Sequence, residues 1–136
     1  MAKPWRMARS LETLRKQIND KWPNRDKSSD GGVGDTAHSS RKSDHNPNED
    51  GVVCARDFDS DIAAGFDGSD LADKLIASRD PRIKYIISEG RICSGIGGPS
   101  PWVWRKYTGV NSHHHHMHIS VRSPASLYDD NRNWKI

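Results

Sequence analysis

The chain has 136 residues, a formal net charge of +3 and 33% hydrophobic residues. This length is typical of one domain, so we expect a single domain over residues 1–136, with a modest core and long polar loops. The sequence has no run of about 18 apolar residues, which excludes a transmembrane helix, and the small basic excess suits an anionic partner without identifying it.

The first predicted element is a helix that begins with Ser10 as its capping residue and runs to about Asp20. Its apolar residues recur at helical spacing on one face, and they are Leu11, Leu14 and Ile18. Pro23 follows the helix and ends it, because proline cannot continue the backbone hydrogen bonding.

Residues 24–50 are rich in Ser, Asp, Asn, Gly and Lys. Such a composition is compatible with disorder. The same segment contains His38, Arg41 and His45, side chains that carry chemistry, so a loop wrapped around a functional site is the competing interpretation.

The rest of the chain combines predicted strands with one helix. The strands are short, bounded by turn residues and rich in β-branched residues, and they cover Gly51–Asp59, Ile83–Ser88, Arg91–Ser94 and Met117–Val121. The helix is capped by Asp67 or Ser69 and runs to about Ser78, and Glu89-Gly90 predicts a hairpin turn. This order favours an α+β fold with a small, mainly antiparallel sheet and flanking helices.

Two further predictions concern burial. Cys54 and Cys93 lie in apolar stretches and form no CxxC pair, so we expect two buried free thiols. The C-terminal tail carries Tyr128 and Trp134, which we expect to pack back onto the domain.

Five of the seven histidines fall in the segment HHHHMH at 113–118. An affinity tag explains this poorly, because the segment runs into a predicted strand and the chain continues for 18 residues beyond His118. A polar surface loop is the other plain interpretation. Residues two apart in a strand face the same side, so His116 and His118 are expected side by side. Imidazole is a common zinc ligand, and one ring of such a pair can bind metal while the other handles protons.

A catalytic zinc site needs three protein ligands and an open position. With His118, the segment SDHNPNEDGVVCARDFD offers His45 before a turn and Asp57 on the strand that follows. Asp59 lies two positions beyond Asp57 and is placed to accept a hydrogen bond from an imidazole N–H. The alternative for Asp57 and Asp59 is a solvated strand end or an arginine partner.

These residues resemble the signature of a known family. Ser43-x-His45, Ala55-x-Asp57 and His116-x-His118 are similar to the motifs of zinc D-Ala-D-Ala carboxypeptidases and L-alanoyl-D-glutamate endopeptidases, which include many phage endolysins. The strings GDTAHSSRKSDHNPNEDGVV, DPRIKYII and W-x-W-R-x-Y-T-G are similar to peptidase-like domains of phage lysis proteins, and the resemblance covers roughly residues 10–122. It implies a hedgehog-like α+β fold and a peptidase acting on peptidoglycan.

The resemblance also implies roles for residues. Zinc would sit on the three ligands named above, with His116 as the general base and His115 as the runner-up. Arg41 would stabilise the oxyanion or grip a substrate carboxylate, unless it is simply an exposed loop residue.

Further candidate substrate contacts are His38, Ser43 and Trp104. Trp102, Trp104 and Tyr107 could instead pack in the core, which is the favoured interpretation for these three aromatic residues.

The substrate would be the stem peptides of peptidoglycan, cut at L-Ala–D-Glu or at a D-Ala–diaminopimelate cross-link, with endopeptidase favoured over carboxypeptidase. We expect a monomer with no separate wall-binding domain and no nucleic-acid partner. Because the N-terminal segment lacks an apolar signal region, the protein is expected in the host cytoplasm until a separate pore releases it to the wall. A metal-dependent nuclease and a non-catalytic wall- or metal-binding module are the alternatives.

Overall fold

A computed structural model describes residues 5–25, 46–108 and 116–136. Its elements, in chain order, are β1 (Arg6–Met7), α1 (Arg9–Lys21), β2 (Val52–Val53), β3 (Ala55–Asp59), a 3-10 turn (Ile62–Ala64), α2 (Gly68–Ser78), β4 (Ile83–Ser88), β5 (Arg91–Ser94), β6 (Arg105–Lys106), β7 (His116–Val121) and α3 (Ala125–Tyr128). Strands and helices share one small domain, so the predicted α+β class is confirmed.

The main sheet has five strands in the order β3-β7-β4-β5-β6, and every neighbouring pair is antiparallel. The predicted hairpin turn joins β4 to β5, with positive φ at Glu89 (53°) and Gly90 (72°), as a two-residue turn of this kind requires. Strand β7, which comes near the end of the chain, lies between β3 and β4. Residues distant in sequence therefore meet in the middle of the sheet.

The predicted strand over Gly51–Asp59 is in fact two strands. Val52–Val53 pairs in parallel with Arg6–Met7 as a separate two-stranded sheet, whereas Ala55–Asp59 pairs with β7. Cys54 lies between them and is buried.

One face of the main sheet packs on the helices. Helix α2 lies against β4 and β7, and α1 contributes the apolar face expected from its spacing. The fully buried members of this core include Leu11, Leu14, Ile18, Phe58, Leu71, Leu75, Ile83, Ile86, Met117 and Ile119. Phe58, Met117 and Ile119 alternate with Asp57, His118 and Ser120 along β3 and β7, so these three polar residues lie on the other face.

The start of α1 differs from the prediction. The helix begins at Arg9, after Ala8, and Ser10 is buried within its first turn without capping it. Asp129, from the far end of the chain, accepts a hydrogen bond from the Arg9 amide at 3.1 Å instead. In contrast, the cap of α2 is as predicted, since the Asp67 side chain accepts from the Ser69 amide.

The C-terminal tail packs back onto the domain, as predicted. Tyr128 and Trp134 are buried, and the Trp134 indole donates to the Ser10 carbonyl.

Both cysteines are free and buried, also as predicted, and burial raises the pKa of the Cys93 thiol. Within the three described ranges, no helix combines the length and the apolar character needed to cross a bilayer.

Candidate metal and catalytic site

The centre of the candidate site is a pair of residues on two neighbouring strands. In the antiparallel register of β3 and β7, Asp57 stands directly opposite His118. Side chains of directly opposed residues lie on the same face of a sheet and can touch. Here the Asp57 carboxylate oxygen Oδ1 lies 3.0 Å from the His118 ring nitrogen Nδ1, so the sequence prediction that these two converge is correct.

The His118 ring is held on its other side as well. Its Nε2 lies 2.9 Å from the hydroxyl of Ser120, two residues along the same strand. The Tyr85 ring, on β4, stacks on the imidazole with a centroid separation of 5.3 Å and an angle of 13° between the planes. The imidazole therefore has a fixed orientation, with both nitrogens engaged and one face covered.

Burial differs between the two partners. The His118 side chain is 5% exposed and the Asp57 side chain 21% exposed. A carboxylate and an imidazole at the edge of a core interact more strongly than on a free surface, because less water screens them. The more exposed carboxylate is the side from which a ligand can approach.

The donor set fits a zinc ion in kind. Imidazole nitrogen and carboxylate oxygen are both zinc ligands with bonds of about 2.0–2.1 Å, so tetrahedral coordination separates two such atoms by about 3.4 Å. The observed 3.0 Å is the length of a direct hydrogen bond, so the two atoms would move apart by a few tenths of an ångström to hold an ion. A hydroxyl on the second ring nitrogen is also the kind of partner that orients a metal-binding histidine.

Two ligands do not make a site by themselves. In the part of the chain that the structure describes, no group of three His, Cys, Asp or Glu side chains is placed to hold a metal ion. The predicted third ligand, His45, lies outside the described residues. The same holds for His38, Arg41, Ser43 and His115, so their assigned roles stay predictions.

Two further predicted residues, Asp59 and His116, lie next to the pair of Asp57 and His118 along β3 and β7. Asp59 pairs with position 116, one step along the same two strands. Their spacing matches the sequence expectation, which put Asp59 near Asp57 and His116 near His118. The structure does not describe the His116 side chain, so its catalytic role stays a prediction.

Trp104 is partly buried and packs against the hydrophobic core. The Arg91 guanidinium lies over its ring, 4.4 Å from the centroid. Packing of this kind is the interpretation that the sequence favoured, and a role for Trp104 as a substrate contact stays a prediction.

The sequence analysis did not identify Ser120 and Tyr85. Ser120 follows His118 at the same two-residue interval that singled out His116, so the strand periodicity carried a signal for it. Tyr85 had no comparable signal, because its contact with His118 depends on the pairing of β4 with β7.

A cleft of about 450 Å³ opens at the other end of these strands. Its lining includes Cys54, Lys84, Val121 and Arg122, but neither Asp57 nor His118. The shape of this cleft therefore contributes nothing to the candidate metal site.

A scan against models of known protein families found no match. Searches of curated proteins and of solved structures found no similar protein either. The case for a function therefore depends on the residues and their geometry.

Proposed function

We propose that this protein is a zinc-dependent peptidase that hydrolyses amide bonds in the stem peptides or cross-links of bacterial peptidoglycan, as a phage endolysin does. The observation that carries the proposal is the contact between Asp57 and His118, a carboxylate and an imidazole brought within 3.0 Å from two strands. These residues also belong to the motifs that resemble the zinc peptidases.

Three residues would hold the zinc ion, namely His45, Asp57 and His118. When bound, zinc would polarise the scissile carbonyl and lower the pKa of a water from about 15.7 towards 7. A set of two neutral imidazoles and one carboxylate leaves a tetrahedral ion one position for substrate or water.

The surroundings of His118 support this assignment. Ser120 fixes the ring through Nε2, and Tyr85 covers one face, so the imidazole needs little reorganisation to act as a ligand. A preoriented ligand is what a catalytic metal centre requires, because small displacements of reacting groups are costly in rate.

Proton transfer is assigned to His116. In this proposal its imidazole takes a proton from the attacking water and returns it to the leaving amine. The pairing of position 116 with Asp59 supports the assignment, because a carboxylate one step from the metal ligands can orient a neighbouring imidazole. Arg41 would stabilise the oxyanion that develops on the carbonyl.

The physiological part of the proposal follows from the substrate. An enzyme that must open the wall cuts within the stem peptide or cross-link, so we favour endopeptidase over carboxypeptidase activity. We propose that it acts as a monomer on peptidoglycan stem peptides after a separate pore releases it from the host cytoplasm.

Digestion of purified sacculi tests the proposal. Mass spectrometry of the soluble muropeptides should show new amine and carboxyl termini at one amide bond, lost with EDTA and restored by added zinc. Intact muropeptides together with cleavage of plasmid DNA would favour the nuclease instead.

A His116→Ala variant separates an enzyme from a binding module. It should bind zinc like the wild type but release no muropeptides, because it removes the base and leaves the three ligands. If the protein were a non-catalytic binding module, even the wild type would release no muropeptides.

A further inference from the structure

Arg105, on the short strand β6, has hydrogen-bonding capacity that the described part of the chain does not use. Its Nη2 donates to the Ser94 hydroxyl at 3.2 Å. Its Nε is buried and has no acceptor among the described residues. The Nε–H is therefore out of reach of a ligand, and the donors left for one are the N–H groups of the terminal nitrogens Nη1 and Nη2 that Ser94 does not occupy.

Five other arginines in the same part of the chain have carboxylate partners. The described ion pairs join Arg6 to Asp129, Arg56 to Glu12, Arg82 to Asp80, Arg91 to Asp73 and Arg132 to Asp130. Arg105 forms no ion pair with any described carboxylate. Arg105 is partly exposed overall, so a ligand can reach its guanidinium.

The sheet places Arg105 on the same face as the candidate metal site. Successive register partners run from Asp57 through His118, Ile87 and Ile92 to Arg105, one on each of the five strands. Directly paired residues share a face of the sheet. A single row across the sheet therefore begins at the metal-site carboxylate and ends at the arginine.

The distance along this row can be estimated from the strand spacing. Arg105 reaches back over β5, where Ser94 accepts its hydrogen bond, and β5 is two strands from β7. At about 4.8 Å per strand, the guanidinium lies about 10 Å from His118. An extended peptide covers that distance with about three residues.

We propose that Arg105 binds a carboxylate of the peptide substrate about three residues from the amide that is cleaved, and so selects acidic peptides. This inference rests on the proposed peptidase function. A guanidinium presents donors in a planar fork that matches a carboxylate, and its two terminal nitrogens, Nη1 and Nη2, can bind both of its oxygens. Stem peptides of peptidoglycan carry free carboxylates beside their amide links, which makes them suitable ligands.

The test uses synthetic stem peptides in which each free carboxylate in turn is replaced by a carboxamide. Values of kcat/KM are measured for the zinc-loaded wild type and three variants, Arg105→Gln, Arg105→Lys and Lys106→Gln. Lys106 is the matched control, because it is exposed, lies next to Arg105 on the same strand and removes the same charge. Thermal unfolding of each variant reports its fold.

The wild type should prefer one carboxylate peptide over its carboxamide by about 10- to 100-fold, the range for a hydrogen-bonded charge pair. Arg105→Gln should abolish that preference by slowing cleavage of the acidic peptide alone. Arg105→Lys should keep part of it, because the charge remains but the two-point geometry is lost. Lys106→Gln should behave like the wild type.

Two results would overturn the inference while the peptidase function stands. One is a wild type that cleaves every carboxamide peptide as fast as its acid, which needs no variant to observe. The other is an equal loss on acid and amide peptides in Arg105→Gln, which would show a structural role. A wild type that cleaves no stem peptide at all would overturn the proposed function and this inference with it.

Discussion

The Asp57 carboxylate lies 3.0 Å from Nδ1 of His118, although 61 positions separate the two residues in the sequence. The contact exists because β7, near the end of the chain, inserts between β3 and β4. An antiparallel register then sets the two residues directly opposite each other. The sheet itself thus builds two thirds of the proposed ligand set.

Removal of the Ser120 hydroxyl should weaken the metal site without unfolding the protein. Ser120→Ala leaves His118 Nε2 without its partner at 2.9 Å, and loss of such an orienting contact lowers metal affinity by about 10- to 100-fold. Zinc titration calorimetry measures the change. The control is Ser10→Ala, a buried serine whose hydroxyl has no partner among the described residues. Equal zinc affinity in Ser120→Ala and Ser10→Ala would contradict the role given to Ser120.

Arg82 should be a main stabilising residue of the C-terminal tail. It is 1% exposed, pairs with Asp80, and donates to the carbonyls of Asp130 and Arg132 at 2.9 and 2.6 Å. Arg82→Met leaves the Asp80 carboxylate and those two carbonyls without their donor. We therefore expect a loss of about 3 to 5 kcal/mol in the free energy of unfolding. Urea denaturation provides the measurement.

The matched control for Arg82 is Arg132→Met. The Arg132 side chain is 74% exposed and also pairs with a carboxylate, so its removal should cost much less stability than removal of Arg82. Similar losses in the two variants would show that burial of Arg82 is not what makes it stabilising.

The pair of Arg6 and Asp129 predicts a pH-dependent contribution to stability. The hydrogen-bonded Arg6 guanidinium lowers the pKa of the Asp129 carboxyl. A carboxyl with a lower pKa in the folded state stabilises the fold above its unfolded pKa of about 3.9, and this contribution is lost as the pH falls through the folded pKa. Asp129→Asn should therefore be less stable than the wild type by about 1 kcal/mol at pH 7, since Arg6 is 44% exposed.

The difference between Asp129→Asn and the wild type should shrink as the pH is lowered from 5 towards 2. Thermal unfolding of both proteins across that range checks the sign. A difference that is the same at pH 7 and pH 2 would mean that the Asp129 charge does not contribute.

The sequence predicted those parts of the fold that depend on local patterns. The apolar spacing of Leu11, Leu14 and Ile18, the Asp67 cap and the Glu89-Gly90 turn each involve residues within a few positions of one another. Such patterns are readable from one sequence because the residues concerned are neighbours in any fold that contains the element.

What the sequence did not predict depends on partners far away in the chain. The amide of Arg9 is capped by Asp129 rather than by Ser10. The strand over Gly51–Asp59 divides because β2 and β3 pair with different strands. No local pattern distinguishes these arrangements from the simpler ones that were predicted.

The candidate site shows the same division. Asp57 and His118 were identified as residues of the right chemistry on predicted strands. The roles of Tyr85 and Arg105 follow only from the sheet order and register, since Tyr85 lies on β4 beside His118 and Arg105 ends the row at β6.

Zinc binding by purified protein at neutral pH tests the central claim most directly. Isothermal titration should give one zinc ion per chain for the wild type and for Asp70→Ala, an exposed acidic residue of α2. Asp57→Ala and His118→Ala should each bind zinc at least 100-fold more weakly, because each removes a ligand rather than an orienting contact. A wild type that binds no stoichiometric zinc, or variants that bind it as tightly as the wild type, would contradict the account.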